Sequence, residues 1–422
     1  MYQKHFVTRI TPQTQPIPGA GQVLNAAGGY AWAVDHWARL DRFLVLGTEG
    51  GTYYIGEHPL TVENAQAVMA CIRADGPRAV QRIVAVSEGG HAPKQAPALF
   101  ALAIAASLGD APTRQAALGA LPRVARTGTH LFHFLAYAEA FRGWGRGLRR
   151  AAAAWYTEKP ARALAYQAVK YQQRDGWSHR DVLRLAHPAP PTAQHAILFH
   201  WMVKGWYGVG AAPHPEEDVR LIWAFERAKR VERVAEMVEL IEHYDLPWEA
   251  TPSQFLGEAA IWHALLPRLP LTALLRNVAR MTANGALVAG NAEMTTVTQK
   301  LGDQETLRKA RVHPIAVLAA LSTYARGRGV RGSLTWTPIP EVLDALDRAF
   351  YLAFGNVKAT GKRIVLALDV SASMGGGLIA GVPGLTPRVA SAAMALVTAA
   401  VEPHVTTIAF SHAMVPLAIT PR

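Results

Sequence analysis

The feature that most constrains the fold is a long series of short amphipathic segments, from about residue 61 to 357. Apolar residues recur there at helical spacing, and proline, glycine or polar turns separate one segment from the next. Clear examples are residues 97–108, 129–142, 314–326 and 338–354. Strand-like segments are scarce, and no fixed repeat length is visible. The pattern predicts a mainly α fold, an irregular α-solenoid of the HEAT or armadillo kind that can close into a ring.

A different kind of segment follows near the end of the chain. Residues 364–368 form a short apolar run without alternation, which is typical of a strand covered on both faces of a parallel sheet. Directly after it, Asp369, Ser371 and Ser373 alternate, so one carboxylate and two hydroxyl groups can converge. Hard oxygen ligands suit Mg²⁺ or another divalent cation that keeps several waters. The alternative is an ordinary strand-to-loop turn, in which Asp and Ser are common.

The residues after this loop predict a βαβ unit. Thr386 is a good N-cap, residues 389–401 are almost continuously apolar, and residues 405–410 are typical of the next strand. A right-handed crossover would make the two strands parallel. The Asp369 loop would then lie at their carboxyl ends, where open α/β sheets bind ligands.

These segments divide the chain into a helical domain, residues 1–360, and an α/β domain, residues 361–422. The pattern of Asp369, Ser371 and Ser373 after a strand resembles the metal-ion-dependent adhesion site of von Willebrand factor A domains, which are Rossmann-like. The second domain is shorter than the roughly 100 to 200 residues of a typical domain. We therefore expect it to be the N-terminal part of a von Willebrand A-like domain, and incomplete.

Charge and hydropathy limit the class of protein. The chain carries 43 Lys and Arg against 31 Asp and Glu, a net charge of +12 and a pI near 9.9, which indicates a polyanionic partner. Nucleic acid is the usual partner, although an anionic membrane surface would also fit. The sequence has neither a membrane-spanning apolar stretch nor a signal-peptide core near its start, so we expect a soluble, cytoplasmic protein. The single cysteine, Cys71, excludes an internal disulfide framework and a Cys-rich zinc site.

The most polar part of the helical region is residues 170–187, KYQQRDGWSHRDVLRLAH, which we call the basic segment. Lys170 and Arg174 are four residues apart, and we expect them to project from one face at a helix end, ready to meet phosphates. Arg180, Arg184 and His187 are predicted to form a second basic face on the next helix.

Ser178 and Asp181 predict a capping box at the start of that next helix. Two interpretations of the neighbouring rings remain open. Tyr171 and Trp177 can stack on RNA bases while His179 donates to phosphate or base edges. Alternatively, the segment is a solvated helix-turn-helix in which Trp177 fills the corner between helices.

The segment KYQQRDGWSHRDVLRLAHP resembles the signature of the TROVE domain of Ro autoantigen ribonucleoproteins and their bacterial relatives. Other segments agree with this family, and the resemblance runs in the expected order from about residue 25 to the end. They are RFLVLGTEGGTYY at 42–54, VARTGTHLFHFL at 124–135, LTALLRNVARMT at 271–282 and RVHPIAVLAALSTYARGRGVRGSLTW at 311–336.

The resemblance implies a ring of HEAT-like repeats closed by a von Willebrand A domain. It also implies binding of small noncoding Y RNA on the outer basic surface and of single-stranded ends of structured or misfolded RNA in the ring opening. The implied role is RNA quality control and processing, with Y RNA tethering a 3′ exoribonuclease such as polynucleotide phosphorylase. The implied RNA contacts fall on Lys170, Arg174 and His187; Arg180 and Arg184 are added from the charge pattern alone.

The family's first metal-binding loop falls on Asp369, Ser371 and Ser373. The family completes this site with a threonine and an aspartate from later loops, and the sequence ends before either. We therefore expect a partial Mg²⁺ site, in a chain that is either truncated or completed by another polypeptide.

No nucleophile with a nearby base, and no pair of carboxylates at hydrolytic spacing, is evident, so the sequence predicts no enzymatic activity. Two other functions remain open. The first is a metal-dependent protein-adhesion module, in which Asp369, Ser371 and Ser373 present Mg²⁺ to an acidic partner. The second is an inert fragment whose ring cannot close.

Overall fold

The chain separates into two compact units, residues 1–208 and residues 209–422. The computed structural model describes residues 15–25, 28–47, 60–61, 65–90, 92–205, 213, 215–330, 332–379, 382, 384–415, 417 and 419.

The described part of the first unit contains ten α-helices and two short antiparallel hairpins. One hairpin pairs β1 (Gln22–Leu24) with β2 (Tyr30–Trp32), and the other pairs β3 (Gln173–Arg174) with β4 (Trp177–Ser178). The helices are α1 (His36–Leu46), α2 (Gln66–Gly89), α3 (Ala96–Leu108), α4 (Ala111–Gly119), α5 (Leu121–Val124), α6 (Gly128–Phe141), α7 (Arg146–Thr157), α8 (Ala161–Lys170), α9 (His179–Ala186) and α10 (Ala193–Lys204).

Helix α3 is the centre of the first unit. Every residue from Pro97 to Ser107 is buried, as expected for a helix that is apolar on all sides. It packs against α1, α2, α4 and α6, so consecutive amphipathic helices bury their apolar faces on one another. This is the serial helix packing that the amphipathic pattern predicts.

Helix α2 contains a kink that orients its second half. The backbone of Asp75 leaves the helical region (φ −162°, ψ 88°), and Pro77 follows it. The Asp75 carboxylate accepts a hydrogen bond of 3.0 Å from the backbone N–H of Arg78, as an N-cap does. A Cβ atom on Gly76 would lie 1.8 Å from Oγ1 of Thr113, so the approach of α4 at the kink requires glycine.

The described part of the second unit is helical up to about residue 356 and α/β beyond it. Its strands are β5 (Arg363–Asp369), β6 (His404–Phe410) and β7 (Met414–Val415). Its helices are α11 (Arg220–Ala228), α12 (Val234–Tyr244), α13 (Ala259–Leu265), α14 (Leu271–Ala283), α15 (Ala292–Gly302), α16 (Gln304–Lys309), α17 (Pro314–Ala325), α18 (Pro340–Leu352) and α19 (Pro387–Val401).

The predicted βαβ unit is confirmed. Strands β5 and β6 pair in parallel, with Arg363 opposite His404 and Asp369 opposite Phe410, and α19 is the crossover helix. The hydroxyl of Thr386 accepts a 3.3 Å hydrogen bond from the N–H of Val389, as the N-cap prediction requires. Strand β7 extends the sheet on the other side of β6, in antiparallel orientation.

The prediction that β5 is covered on both faces is wrong for the described chain. Alternate residues of β5 are exposed, and the side chain of Val365 is 64% exposed. Helix α19 contacts β5, and among the described residues nothing buries the face that carries Val365. An apolar strand thus borders solvent on one side.

The predicted fold class is confirmed. The chain is mainly helical, and residues 97–108, 129–142, 314–326 and 338–354 each correspond to one helix, with ends shifted by up to two residues. None of the described helices is long and apolar enough to cross a membrane.

Candidate functional site

The basic segment folds as a tight hairpin followed by a short helix. Helix α8 ends at Lys170, and Gln173 and Arg174 then pair with Ser178 and Trp177. The two residues of the turn, Asp175 and Gly176, have φ values of 51° and 79°. Positive φ at both positions matches the right-handed twist of the strands, and Asp-Gly is a favoured sequence for it.

The expectation that Lys170 and Arg174 lie four residues apart on one helix is therefore wrong. Lys170 is the last helical residue of α8, whereas Arg174 lies on β3. The hairpin, rather than a helical face, sets the direction of Arg174, whose side chain is 59% exposed.

The predicted capping box at the start of α9 is confirmed. The Ser178 hydroxyl accepts a 3.4 Å hydrogen bond from the N–H of Asp181, and the Asp181 carboxylate accepts one of 3.0 Å from the N–H of Ser178. Arg180 and Arg184 follow on α9, both exposed and four residues apart, as predicted. His187 is exposed but ends the helix in the left-handed conformation (φ 46°), so it does not continue the helical face.

His179 anchors this segment in the interior and is not available for RNA. It is 4% exposed; its Nε2 donates to the carbonyl of Tyr171 at 2.9 Å, and its Nδ1 lies 2.8 Å from the hydroxyl of Tyr156. Burial lowers the pKa of His179 to about 4, so the ring is neutral at neutral pH. The interpretation of His179 as a phosphate or base donor is wrong.

Trp177 also faces the interior. It is 8% exposed and contacts the ring of Trp144, with 5.4 Å between ring centroids. Of the two interpretations of Trp177, the structure supports the one in which it fills the corner beside the helices.

Lys170 lies between two tyrosine rings. Its Nζ is 5.4 Å from the ring centroid of Tyr166 and 5.6 Å from that of Tyr171, and it donates to the Tyr166 hydroxyl at 3.3 Å. A lysine head group beside aromatic faces is held by cation–π attraction. The side chain is half-buried, so the rings hold an ammonium group close to the surface.

His133 of α6 makes a contact with the hairpin that the sequence does not predict. Its Nδ1 hydrogen-bonds the Asp175 carboxylate at the tip of the hairpin, and the same carboxylate lies 3.8 Å from the Arg174 side chain. This contact fastens the hairpin to α6, 42 residues away along the chain. The Asp-Gly turn was a local signal for the hairpin; nothing local identified its partner.

The second candidate site is the loop of residues 369–375, which we call the metal loop. It follows the carboxyl end of β5, and the N–H of Val370 donates to the Phe410 carbonyl at the end of β6. The loop is thus at the carboxyl edge of the parallel pair, as predicted.

The metal loop brings its three predicted oxygen ligands together. Oδ1 of Asp369 accepts a 2.8 Å hydrogen bond from the N–H of Ser371, and the hydroxyl oxygens of Ser371 and Ser373 are 2.9 Å apart. The hydrogen bonds from Ser371 hold the pKa of Asp369 below its usual value, so its carboxyl is ionised at neutral pH. Among the described residues no group of three or more His, Cys, Asp and Glu side chains is arranged to hold a metal.

Comparison with known proteins agrees with both segments. The TROVE domain family model matches residues 23–323, and the Ro60 vWA domain model matches residues 363–422. The chain is 43% identical to the RNA-binding protein RO60 of Deinococcus radiodurans over 413 residues, which are 97% of this chain and 77% of that protein. It is 33% identical to the RNA-binding protein RO60 of Caenorhabditis elegans over 485 residues, 98% of this chain and 75% of that protein.

A solved structure is similar over most of the chain. The crystal structure of the Deinococcus radiodurans RO (RSR) protein superposes with a TM-score of 0.81 and 42% sequence identity, covering 92% of this chain and 78% of that one. The two family models leave residues 324–362 between them, whereas compactness divides the chain after residue 208. By both domain matches and these relatives, the chain belongs to the TROVE-domain Ro60 family.

Proposed function

We propose that this protein is a noncatalytic RNA-binding scaffold that holds a small noncoding Y RNA on its basic segment. RNA binding itself follows from its family, whose relatives are named RNA-binding proteins. The residues we assign to the Y RNA are Lys170, Arg174, Arg180, Arg184 and His187.

The observation that carries this assignment is that the basic segment presents its cations on a fixed frame. The capping box, the buried His179 and the His133–Asp175 contact fix the backbone on both sides of Arg174 and Arg180. Fixed cations need less ordering when they meet a phosphate backbone than cations on a loose loop. The frame therefore favours a structured RNA with a defined phosphate spacing.

The charges of the segment leave an excess for phosphate. Residues 170–187 carry four Lys and Arg and two acids, Asp175 and Asp181. Asp181 is occupied by the cap of α9, whereas Asp175 hydrogen-bonds His133 and lies 3.8 Å from Arg174. Neither acid cancels Arg180 or Arg184, so contact with RNA should release counterions and depend on salt.

We extend the proposal to the role that the family implies. The scaffold would also take single-stranded ends of structured or misfolded RNA and, through its Y RNA, recruit a 3′ exoribonuclease such as polynucleotide phosphorylase, in RNA quality control and processing. We assign it to the cytoplasm; its one cysteine, Cys71, is a buried thiol outside any disulfide, which suits a reducing compartment.

We also propose that the metal loop binds Mg²⁺ through Asp369, Ser371 and Ser373. An ionised carboxylate and two adjacent hydroxyls are the hard ligands that Mg²⁺ prefers, and one carboxylate with several waters is a common arrangement for this ion. Bound there, the ion would offer an open coordination position to an acidic group, which is the basis of the alternative function as a protein-adhesion module.

The first experiment is filter binding of a Y-like stem-loop RNA across a salt series, with the wild type and the Lys170→Ala/Arg174→Ala variant. We expect the variant to bind at least about tenfold more weakly, with a slope of log K against log salt that is shallower by about 1 to 2, because up to two phosphate contacts are lost. A matched control is Arg308→Ala/Lys309→Ala, which removes the same charge from the exposed side chains of α16. Equal binding by the wild type and both variants would overturn the assignment.

A further inference from the structure

A second feature of the first unit, between α1 and α2, is a cleft of about 440 Å³. This volume lies within the roughly 300 to 1,000 Å³ of clefts that bind small molecules. It shares no residue with the basic segment. The residues that line this α1–α2 cleft are Trp37, Asp41, Arg78, Gln81, Arg82 and Ala85.

Trp37 and Arg78 form a cation–π pair in the lining of the cleft. The guanidinium carbon of Arg78 lies 4.2 Å from the ring centroid of Trp37. Arg78 is exposed and Trp37 is half-buried, so both planar groups reach the opening. Unpaired RNA bases stack on aromatic rings and on arginine guanidinium planes, and this stacking tolerates every base.

A second pair of residues that line the cleft is electrically balanced. Arg82 donates from Nε and Nη2 to the two carboxylate oxygens of Asp41, the second at 2.7 Å. This fork neutralises Asp41, the one acid among the described residues that line the cleft, so that it does not repel a phosphate. Gln81 is exposed, and its amide offers both a donor and an acceptor to the edge of a base.

The position of Arg78 is unfavourable for the helix itself. The second half of α2 begins after the kink at Asp75, so Arg78 lies in its first turn. A cation in the first turn of a helix opposes the helix dipole, so helix stability does not account for this charge. Because Arg78 also stacks on Trp37, the cleft offers a ring and a cation side by side. A base and its own phosphate can therefore be contacted together.

We infer that the α1–α2 cleft binds an unpaired base of single-stranded RNA, with Trp37 and Arg78 as the stacking surface and Gln81 at the base edge. This inference rests on the proposed RNA-binding function and deepens it. It adds a contact for single strands that is separate from the proposed site for structured RNA.

The test is fluorescence anisotropy with a labelled oligo(A) of about 12 nucleotides, a length similar to single-strand site sizes of roughly 4 to 16. Trp37→Ala should weaken binding by about fivefold or more without changing the salt slope, because stacking releases no counterion. Trp37→Phe should bind within about twofold of the wild type, since a ring remains for stacking.

Arg78→Ala supplies an independent variant, because the loss of an exposed arginine does not threaten folding. It should also weaken oligo(A) binding about fivefold, whereas Arg73→Ala, an exposed arginine of α2 outside the cleft, should stay within about twofold. If Arg73→Ala and Arg78→Ala weaken binding equally, the effect is general charge and the inference is overturned. Free AMP at millimolar concentration should not displace the oligonucleotide; displacement would make a free nucleotide the occupant and would also overturn it.

The Y-like stem-loop separates this inference from the proposed function. If Trp37→Ala binds the stem-loop as the wild type does but has lost oligo(A) binding, both the proposed function and the cleft inference are supported. If the stem-loop binds but neither Trp37→Ala nor Arg78→Ala affects oligo(A) binding, the cleft inference is overturned. The proposed function is then still supported. If the wild type binds neither RNA, the proposed function fails, and the cleft inference fails with it.

Discussion

The basic segment and the metal loop hold their polar groups in opposite ways. In the basic segment, the cations stand on a frame held by other helices: the buried His179 contacts Tyr156 of α7, and His133 of α6 hydrogen-bonds the exposed Asp175. In the metal loop, the hydrogen bonds described for the ligands run among the ligands themselves, from Ser371 to Asp369 and between the two serine hydroxyls. The geometry of the basic segment is set before any ligand arrives. In the metal loop, the hydrogen bond between the two serine hydroxyls must break before an ion can bind.

This difference predicts where substitutions are costly. Changes to the frame of the basic segment should affect stability and RNA binding together. Changes to the metal loop should affect metal binding with little effect on the stability of the metal-free protein.

The largest expected effect is that of His179→Ala. The substitution removes two hydrogen bonds, leaves the buried Tyr156 hydroxyl without its partner and opens a cavity beside Phe132. We expect the free energy of unfolding of the first unit to fall by about 3 kcal/mol or more, measured by urea denaturation and by amide hydrogen exchange of α7 and α9. Asp369→Ala should cost no more than about 0.5 kcal/mol, the usual range for surface sites.

An exposed histidine provides the control for that substitution. His200 lies on α10 with its side chain exposed, so His200→Ala should leave the exchange rates of α7 and α9 unchanged. If His179→Ala lowers the free energy of unfolding as little as His200→Ala does, the buried network does not support the basic segment.

The next effect is a loss of stability as the pH falls. The pKa of His179 is lowered by burial to about 4 in the folded protein, against an ordinary value of 6.5. Below pH 6.5 the His179 ring binds a proton in the unfolded chain but not in the folded chain. The stabilisation from this residue is therefore complete above pH 6.5 and decreases as the pH falls towards 4. Between pH 7.5 and pH 5 this residue alone should remove about 2 kcal/mol of unfolding free energy.

Other groups test that assignment. Burial also lowers the pKa of His130 to about 4, so its contribution has the same sign and the same pH window. The lowered pKa of Asp369 acts at lower pH, because its stabilisation is lost only as the pH falls through and below the ordinary carboxyl value. Urea denaturation of His179→Gln should therefore show a shallower pH dependence than the wild type; an equal dependence would assign the effect to other groups.

The two N-caps allow a matched comparison, with a smaller expected loss of stability than at His179. Ser178 caps α9 and Thr386 caps α19, each by accepting a hydrogen bond from the third residue of its helix, but only Ser178 is part of a capping box. Each substitution by alanine should cost about 1 kcal/mol, with Ser178→Ala the larger, and only Ser178→Ala should weaken stem-loop binding. Equal loss of RNA affinity in both variants would show that general destabilisation, and not the frame, controls binding.

Local signals predicted much of both sites. The capping box of Ser178 and Asp181, the N-cap at Thr386 and the end of β5 at Asp369 each depend on residues within a few positions of one another. Hydrogen-bond capping and strand ends are decided by such local chemistry. The sequence therefore placed these elements correctly.

Long-range partners explain the failures. One of the two open interpretations, in which His179 is an exposed donor, failed because its partner Tyr156 lies 23 residues away; the His133–Asp175 contact likewise joins residues 42 apart. The helical placement of Arg174 failed for a local reason, because Asp175-Gly176 follows it directly and Asp-Gly between short strands is a hairpin signal. The open face of β5 was not predictable, because an apolar run does not reveal which of its faces the rest of the chain covers.

The smallest effect, and the one that most sharpens the comparison, is that of Mg²⁺ on the metal loop. At a Mg²⁺ concentration equal to the dissociation constant, binding stabilises the folded state by about 0.4 kcal/mol, rising to about 1.4 at tenfold higher concentration. Hydrogen exchange of residues 369–375 should slow with Mg²⁺ in the wild type and not in Asp369→Ala, while Ser391→Ala, outside the loop on α19, should respond as the wild type does. The basic segment should not respond in any of these proteins, since its frame is complete without the ion. If Mg²⁺ still slows hydrogen exchange in Asp369→Ala, the ion acts elsewhere. If Mg²⁺ does not change hydrogen exchange in the wild type, the hydrogen bond between the two serine hydroxyls is more favourable than their binding to the metal.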